Sequence, residues 1–188
     1  MKYDREIHHR RSIRLAGYDY TQSGAYFVTI CVEKRACVFG ALADGSVELN
    51  DAGRIVQSTL LELPSRFPQI SLDSSIVMPN HIHGIIFVGA QFIAPSDSLP
   101  HSRKEEGAMN RAPTLGEIVR AYKAVSARAI RCAGYMEFKW QRNYYEHVIR
   151  DENSLNRIRQ YIIDNPLRWD TDRENPAAVT PEPKDAWR

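Results

Sequence analysis

Hydrophobic and polar positions are distributed along the chain in blocks that predict an ordered series of strands and helices. The segment AYFVTICV (25–32) is rich in aromatic and β-branched residues and predicts a strand. A D-G pair between short apolar runs predicts a small hairpin over 36–50. From Asp51, a favourable N-cap residue, apolar residues recur at helical spacing until Pro64. Two further strands, ISLDSSIVM and HIHGIIFV, are joined by a Pro-Asn turn.

The second half of the chain predicts two longer helices separated by a strand. Thr114 and Glu117 have the spacing of a capping box and open an amphipathic helix. The aromatic segment 137–149 predicts the last strand. Asp151 is an N-cap residue for a final helix, which Pro166 closes.

The order strand, helix, strand, strand, helix, strand, with one more helix at the end, predicts an α+β protein. It matches the ferredoxin-like pattern, in which an antiparallel β-sheet carries packed helices on one face. With 188 residues, of which 43% are hydrophobic and 26% charged, the chain is sized for one core. We expect a single domain over 25–169, with a basic N-terminal arm (1–24), a mobile connection (89–113) and a polar C-terminal tail (170–188).

Two histidines interrupt the apolar strand HIHGIIFV. Successive side chains of a strand point to opposite faces, so His81 and His83 share one face while Ile82 lies on the other. The two rings could each satisfy a local hydrogen bond, but parallel imidazoles on one face are suited to binding a metal. We therefore predict a metal site on a central strand.

The final helix carries residues that could complete this site. Tyr161 and Asn165 are four residues apart and lie on one helix face, so a phenol and an amide oxygen are neighbours. A hard oxygen ligand such as the Asn165 carbonyl would favour Mg²⁺ or Mn²⁺ over a purely imidazole-bound metal.

Charge is distributed unevenly along the chain. The net charge is only +2, but residues 1–16 carry five basic and two acidic side chains, and residues 103–150 carry ten and five. Such segments suit a nucleic-acid partner, although charged faces are often simply solvated. The chain has no apolar run of membrane-spanning length, and its polar start lacks the core of a signal peptide, so we expect a cytoplasmic protein with no membrane partner.

Three separated motifs carry a family resemblance. MPNHIHGIIF resembles the His-hydrophobe-His motif of the HUH single-strand nucleases. KWQRNYYEHVIRDENSLNRIRQYIIDNPLRW resembles the C-terminal signature of the REP-associated tyrosine transposases and of the single-tyrosine transposases of insertion sequences. The opening RRSIRLAGYDYTQSGAYFVTICVEKR is similar to the N-terminus of the same group, so the resemblance covers about 10–169.

The resemblance implies a ferredoxin-like fold and a C-terminal catalytic helix. It implies that His81 and His83 bind a divalent metal, that Tyr161 is the nucleophile and that Asn165 is the third ligand, with Tyr144 as the alternative nucleophile. The implied activity is cleavage and rejoining of single-stranded DNA at hairpin or palindromic sites through a 5′-phosphotyrosine intermediate. A monomer is favoured over a homodimer, and whether the gene is mobile or domesticated stays open.

Two other functions remain alternatives. The first is a DNA hairpin-binding regulator that has the same fold and no cleavage activity. The second is a metal hydrolase of small molecules, which would leave the basic segments unexplained.

Basic residues on two segments are the predicted DNA contacts. In the helix that Thr114 opens, they lie beside the apolar face, and in the arm they could follow a phosphate backbone. These residues are Arg120, Lys123 and Arg128 in the helix and Arg10, Arg11 and Arg14 in the arm.

Overall fold

The computed structural model describes residues 23–89, 113–183 and 185–187. Over these residues the strands are β1 (Gly24–Cys31), β2 (Gly40–Ala43), β3 (Ser46–Leu49), β4 (Ile70–Val77), β5 (His81–Val88) and β6 (Tyr145–Ile149). The helices are α1 (Asp51–Leu61), α2 (Leu63–Arg66), α3 (Leu115–Cys132) and α4 (Glu152–Asp164), with 3₁₀ turns at Glu33–Arg35 and Asn165–Thr171. The predicted order of elements is confirmed, and most of the predicted connection lies outside the described residues.

Four strands form an antiparallel sheet in the order β4-β5-β1-β6. Strand β1 is central and pairs with β5 along its whole length, from Gly24 opposite Val88 to Cys31 opposite His81. Strands β2 and β3 form a separate hairpin at the predicted D-G turn. The α+β, ferredoxin-like prediction is therefore confirmed.

The two faces of the sheet bury different sets of side chains. On one face, Tyr26, Val28 and Ile82 pack against apolar residues of α1 and α3 in a single core, which we call the helix-side core. The opposite face carries Phe27 and Ile85, which pack against α4. Because both faces are covered, the side chains beside Ile82 on β5 are buried as well, and this buries the two histidines.

The helix starts follow ordinary capping chemistry. Helix α1 starts at Asp51, but its cap is Asn50, whose side chain accepts from the Gly53 amide at 3.0 Å. The predicted cap Asp51 instead pairs with Arg54 at 2.6 Å. The capping box at Thr114 and the cap at Asp151 are confirmed.

The last strand is shorter than predicted, because most of the aromatic segment 137–149 lies outside the sheet. Only Tyr145–Ile149 form β6, and Trp140 makes a single bridge to Val32. The indole of Trp140 instead donates to the Ser126 hydroxyl at 3.0 Å and packs on the helix-side core. Burial of this side chain against α3 outweighs the extended pairing that the composition favours.

Helix α4 is attached to the sheet through an irregularity in β4. The register of β4 on β5 shifts between Leu72 and Ser75, as in a β-bulge. Within the bulge, Asp73 accepts from the Arg159 guanidinium of α4 at 2.7 Å. Leu155, Ile158 and Ile162 form the buried face of the helix.

The C-terminal segment is part of the folded unit and not only a polar tail. Trp187 is 5% exposed and packs against Phe27, with ring centroids 6.0 Å apart, and against His147, at 4.3 Å. The predicted tail (170–188) thus supplies an apolar anchor to the sheet. None of the helices in the described residues is long and apolar enough to span a bilayer.

Two glycines allow a matched test of packing. A Cβ on Gly53 would clash with the Phe39 carbonyl and lie 2.9 Å from Leu49 Cδ2, whereas a Cβ on Gly84 would meet Ser75 Cβ at 3.7 Å, an ordinary contact. We expect Gly53→Ala to lower the free energy of unfolding by about 1–3 kcal/mol because of overpacking. Gly84→Ala should change it by less than about 1 kcal/mol. Urea unfolding monitored by circular dichroism measures both, and equal effects of the two substitutions would contradict the packing described.

Candidate active site

The two histidines of β5 form the centre of the site. His81 and His83 are 0% and 3% exposed, and their Nε2 atoms lie 3.0 Å apart. Both rings lie on the face of the sheet opposite the helix-side core, which contains Ile82. The predicted convergence of the two imidazoles is thus present in the structure.

An aspartate that the sequence analysis did not single out joins the pair. The Oδ2 atom of Asp172 lies 3.9 Å from His81 Nε2, and Asp172 is 2% exposed. One ligand atom from each of His81, His83 and Asp172 lies within 4.8 Å of the others. In the sequence, Asp172 resembles the neighbouring Asp170, and only the fold brings one of the two carboxylates to the histidines.

Asn165, the predicted third ligand, lies beside this cluster. Its amide nitrogen donates to Asp172 Oδ2 at 3.1 Å, and its Oδ1 atom is buried without a hydrogen-bond partner. An unpartnered buried carbonyl oxygen is costly, and a cation would satisfy it. Direct ligation by Asn165 stays a prediction, whereas its contact with Asp172 is observed.

The donor set fits a divalent metal. Burial lowers the pKa of His81 to about 3, with a smaller contribution from the Arg35 cation. Burial and the neighbouring His81 also lower the pKa of His83. Both imidazoles are therefore neutral at cellular pH, the form that binds metals. Two neutral imidazoles with one carboxylate could hold a metal ion, while Mg²⁺ or Mn²⁺ as its identity stays a prediction.

Tyr161 of α4 lies against the histidines. Its ring centroid is 5.4 Å from that of His83 and 6.1 Å from that of Phe27. The guanidinium of Arg168 lies 5.6 Å from the ring centroid. Burial raises the pKa of the Tyr161 phenol, and the carboxylates of Asp172 and Glu182 raise it further. The guanidinium of Arg168 opposes this rise, so the phenol is neutral unless additional positive charge is present.

Tyr144 and Tyr145, which precede and open β6, lie in different surroundings. Tyr144 packs against the helix-side core, and the Lys123 ammonium lies 5.7 Å from its ring centroid. Tyr145 donates its hydroxyl hydrogen to Asp185 at 2.8 Å. Tyr161, by comparison, has a ring contact to His83 of the cluster.

The site opens into a cavity of about 210 Å³. The wall contains His83, Tyr161 and Asp172 together with polar and aromatic side chains from three other segments. These include Arg35, Gln141, Asn143, Tyr144, Arg173 and Trp187. A cavity that combines residues of a candidate metal cluster, a phenol, guanidinium groups and aromatic rings is suited to an anionic ligand with flat rings.

The predicted DNA-binding residues occupy several environments. Arg120 and Arg128 are exposed on α3. Lys123 instead donates to the carbonyls of Gln141 at 2.8 Å and Asn143 at 2.9 Å, and burial lowers its pKa to about 8. The observed role of Lys123 is therefore to hold a segment of the cavity wall. Its DNA contact stays a prediction, and the predicted arm residues Arg10, Arg11 and Arg14 lie outside the described residues.

Comparison with known proteins places the chain in a family by sequence. No protein-family model matches it. An uncharacterised protein of Haemophilus influenzae is 41% identical over 174 residues, which are 92% of this chain and 96% of that protein. The chain belongs to the same family as this protein. The match extends over almost the whole of both chains, so it includes the sheet and most of the segments that form the site.

Solved structures share the fold at low sequence identity. A REP-associated tyrosine transposase bound to a REP hairpin superposes with a TM-score of 0.53 and 17% identity, over 82% of this chain and 73% of that chain. A candidate transposase from Deinococcus radiodurans gives a TM-score of 0.45 and 17% identity, over 80% of this chain and 95% of that chain. At 17% identity, the first likeness shows the fold.

The aspartate of the cluster has a matched control two residues away. Asp172 is buried beside the histidines, whereas Asp170 is exposed. We expect Asp172→Asn to weaken Mn²⁺ binding by about 10- to 100-fold, because the charged ligand is lost while the shape is kept. Asp170→Asn should bind Mn²⁺ like the unaltered protein. Titration of free Mn²⁺ by electron paramagnetic resonance measures both, and equal affinities would remove Asp172 from the metal site.

Proposed function

We propose that the chain is a metal-dependent enzyme that nicks and rejoins single-stranded DNA at hairpin or palindromic sites, with Tyr161 as the nucleophile. The observation that carries this proposal is the contact of the Tyr161 ring with His83, in a cavity that Tyr161 lines together with His83 and Asp172, two members of the cluster that His81 completes. A nucleophile and a cation-binding cluster within one cavity are what in-line displacement at a phosphodiester requires.

The shared fold adds support of a coarser kind. One solved protein with this fold is a REP-associated tyrosine transposase, and it was solved bound to a REP hairpin. The sequence motifs resemble that class independently of the fold, and all three occur in the expected order. Together they favour a transposase-like activity on DNA over hydrolysis of a small molecule.

The chain's own residues would perform the steps as follows. The phenol of Tyr161 gives up its proton to water, its oxygen attacks the phosphorus, an O–P bond forms, and the bond from phosphorus to the 3′-oxygen breaks. The 3′-oxygen takes one proton from water, so no net proton is gained or lost, and the 5′-phosphate stays on the tyrosine. Attack by a 3′-hydroxyl reverses these steps and releases the phenol, so strand transfer needs no external energy source.

The surroundings of Tyr161 explain why a cation is needed. Burial and nearby carboxylates raise the pKa of this phenol, so the metal-free protein holds it in the unreactive neutral form. A divalent ion held by His81, His83 and Asp172 would supply Lewis acidity to the scissile phosphate and favour the phenolate. The Arg168 guanidinium, 5.6 Å from the ring centroid, is placed to stabilise the same charge.

A covalent adduct tests the nucleophile. We expect the protein with Mn²⁺ and hairpin-bearing single-stranded oligonucleotides to form an adduct that survives denaturation and maps to Tyr161. Tyr161→Phe should abolish the adduct, because it removes the reacting oxygen and keeps the ring that packs on His83 and Phe27. Mass spectrometry of the denatured protein, with metal affinity measured in parallel, checks both the loss and the intact site.

Tyr144→Phe and Tyr145→Phe are the matched controls for this test and should still form the adduct. An adduct that persists in Tyr161→Phe would eliminate Tyr161, and its loss in Tyr144→Phe alone would favour the alternative nucleophile. Binding of the hairpin by the unaltered protein without any adduct would favour the non-catalytic regulator.

The basic segments are proposed to contact the phosphate backbone. Replacement of Arg10, Arg11 and Arg14 by glutamine should weaken binding of the hairpin oligonucleotide. It should also lower the slope of log affinity against log salt concentration by the amount that corresponds to up to about three phosphate contacts. Arg54→Gln is the control, because Arg54 is paired with Asp51 on α1. Fluorescence anisotropy across a salt series measures the slope, and an unchanged slope in the triple variant would remove the arm from the interface.

A further inference from the structure

Asn80 occupies the turn between β4 and β5, directly before the first histidine of the cluster. It is 0% exposed. Its amide nitrogen donates to the carbonyl of Arg35 at 3.0 Å and to the carbonyl of Glu174 at 2.6 Å. Its Oδ1 atom lies 2.8 Å from Nδ1 of His81. All hydrogens of the side-chain amide are thus used within the protein interior.

These contacts permit only one orientation of the Asn80 amide. Carbonyl oxygens can only accept, so the group that faces Arg35 and Glu174 has to be the NH₂ group. The reversed amide would place Oδ1 against two carbonyl oxygens and leave it without a donor. Oδ1 therefore faces His81, and because it can only accept, Nδ1 of His81 carries the hydrogen.

The tautomer of His81 follows from this hydrogen bond. A neutral imidazole has one N–H, so a hydrogen on Nδ1 leaves a lone pair on Nε2. This Nε2 atom lies 3.0 Å from Nε2 of His83 and 3.9 Å from Oδ2 of Asp172. His81 is therefore held in the form that binds a metal through Nε2 before any metal arrives.

His83 is held differently. Its Nδ1 atom lies 2.9 Å from the Thr29 hydroxyl, which can donate or accept by rotating. With His81 fixed, the stable metal-free arrangement has the His83 Nε2–H donating to His81 Nε2, and the Thr29 hydroxyl donating to His83 Nδ1. Metal ligation through both Nε2 atoms requires the His83 hydrogen on Nδ1, with the Thr29 hydroxyl then accepting.

Asn80 also connects the histidines to the backbone that carries the aspartate. Glu174, whose carbonyl accepts from Asn80, donates its own amide to Asp172 Oδ1 at 2.6 Å. The carbonyl of Arg35 belongs to a turn in which Lys34 and Arg35 have φ of 57° and 56°. This left-handed pair is an uncommon conformation for non-glycine residues, and the contact with Asn80 holds its second carbonyl in place.

We propose that Asn80 is the positioning residue of the metal centre, which fixes His81 as the Nδ1–H tautomer while His83 changes tautomer when a metal binds. This inference rests on the metal site of the proposed function and not on the DNA reaction. Asn80 touches neither the metal position nor Tyr161 in the contacts described, so its effect is transmitted through His81 and the 172–174 backbone.

The tautomers can be measured directly in the 188-residue chain by ¹⁵N nuclear magnetic resonance of the imidazoles at neutral pH. Without metal, we expect an Nδ1–H tautomer for His81 and an Nε2–H tautomer for His83. Addition of Zn²⁺, a diamagnetic probe that imidazole binds well, should convert His83 to Nδ1–H and leave His81 unchanged. An Nε2–H tautomer for His81 in the metal-free protein would overturn the proposal, as would a protein that does not bind Zn²⁺.

Variants test the causal role of the amide. Asn80→Ala should give His81 a mixture of tautomers and weaken Zn²⁺ binding by about 10- to 100-fold. Asn50→Ala is the matched control, because Asn50 is a half-buried asparagine at the start of α1 whose amide donates to a carbonyl, that of Val38 at 2.8 Å, beside the core on the opposite face of the sheet. It should leave the tautomers and the affinity unchanged. A folded Asn80→Ala with the tautomers and affinity of the unaltered protein would overturn the proposal.

The unaltered protein decides the tautomer assignment even if Asn80→Ala fails to fold. The assay contains no DNA, so its outcome is independent of adduct formation. If the tautomers are as expected but no covalent DNA adduct forms, the role of Asn80 at the metal site stands and only the proposed nicking activity is overturned.

Discussion

The site depends on the burial of both faces of one strand. Strand β5 lies next to the central strand of the sheet, with Ile82 in the core under the helices and the two histidines on the opposite face. Because α4 and the C-terminal segment cover that face, the imidazoles are removed from water and stay neutral. A register shift of one residue would turn the histidines to the face that Ile82 occupies, so the hydrophobic pattern that folds the sheet also aligns the ligands.

The cluster is completed by segments far apart in sequence that carry opposite charges. Arg35 pairs with Glu174 at 2.9 Å, and Arg168 pairs with Glu182 at 2.6 Å, both beside the cavity. The Arg35 pair holds the chain after α4 close to the end of β1, which keeps Asp172 near His81, whereas the Arg168 pair joins two parts of that C-terminal segment. Burial and the neighbouring carboxylates raise the pKa of the Tyr161 phenol, so in the proposed reaction the phenol stays neutral until a cation binds. We infer that cation binding and activation of the tyrosine are one event.

Local patterns predicted the parts of the fold that have local causes. The alternation in HIHGIIFV, the capping box at Thr114 and the helical spacing of Tyr161 and Asn165 each depend on a few adjacent residues. Asp172, by contrast, reaches the histidines only because the turn after Pro166 redirects the chain, and no periodic signal marks it. The sequence predicted Asn80 only as a turn residue, because the carbonyls that its amide binds belong to Arg35 and Glu174, which are 45 and 94 positions away in the chain. The polar composition of 170–188 gave no indication that Trp187 is buried against the sheet.

Two imidazoles and a carboxylate that the fold brings together form what we propose is one cation site. A crystal structure of the 188-residue chain, grown with Mn²⁺ and recorded at a wavelength where manganese scatters anomalously, tests this directly. We expect an anomalous peak within bonding distance of Nε2 of His81, Nε2 of His83 and a carboxylate oxygen of Asp172. A peak elsewhere, or the two Nε2 atoms still 3.0 Å apart with no ion between them at millimolar Mn²⁺, would contradict it.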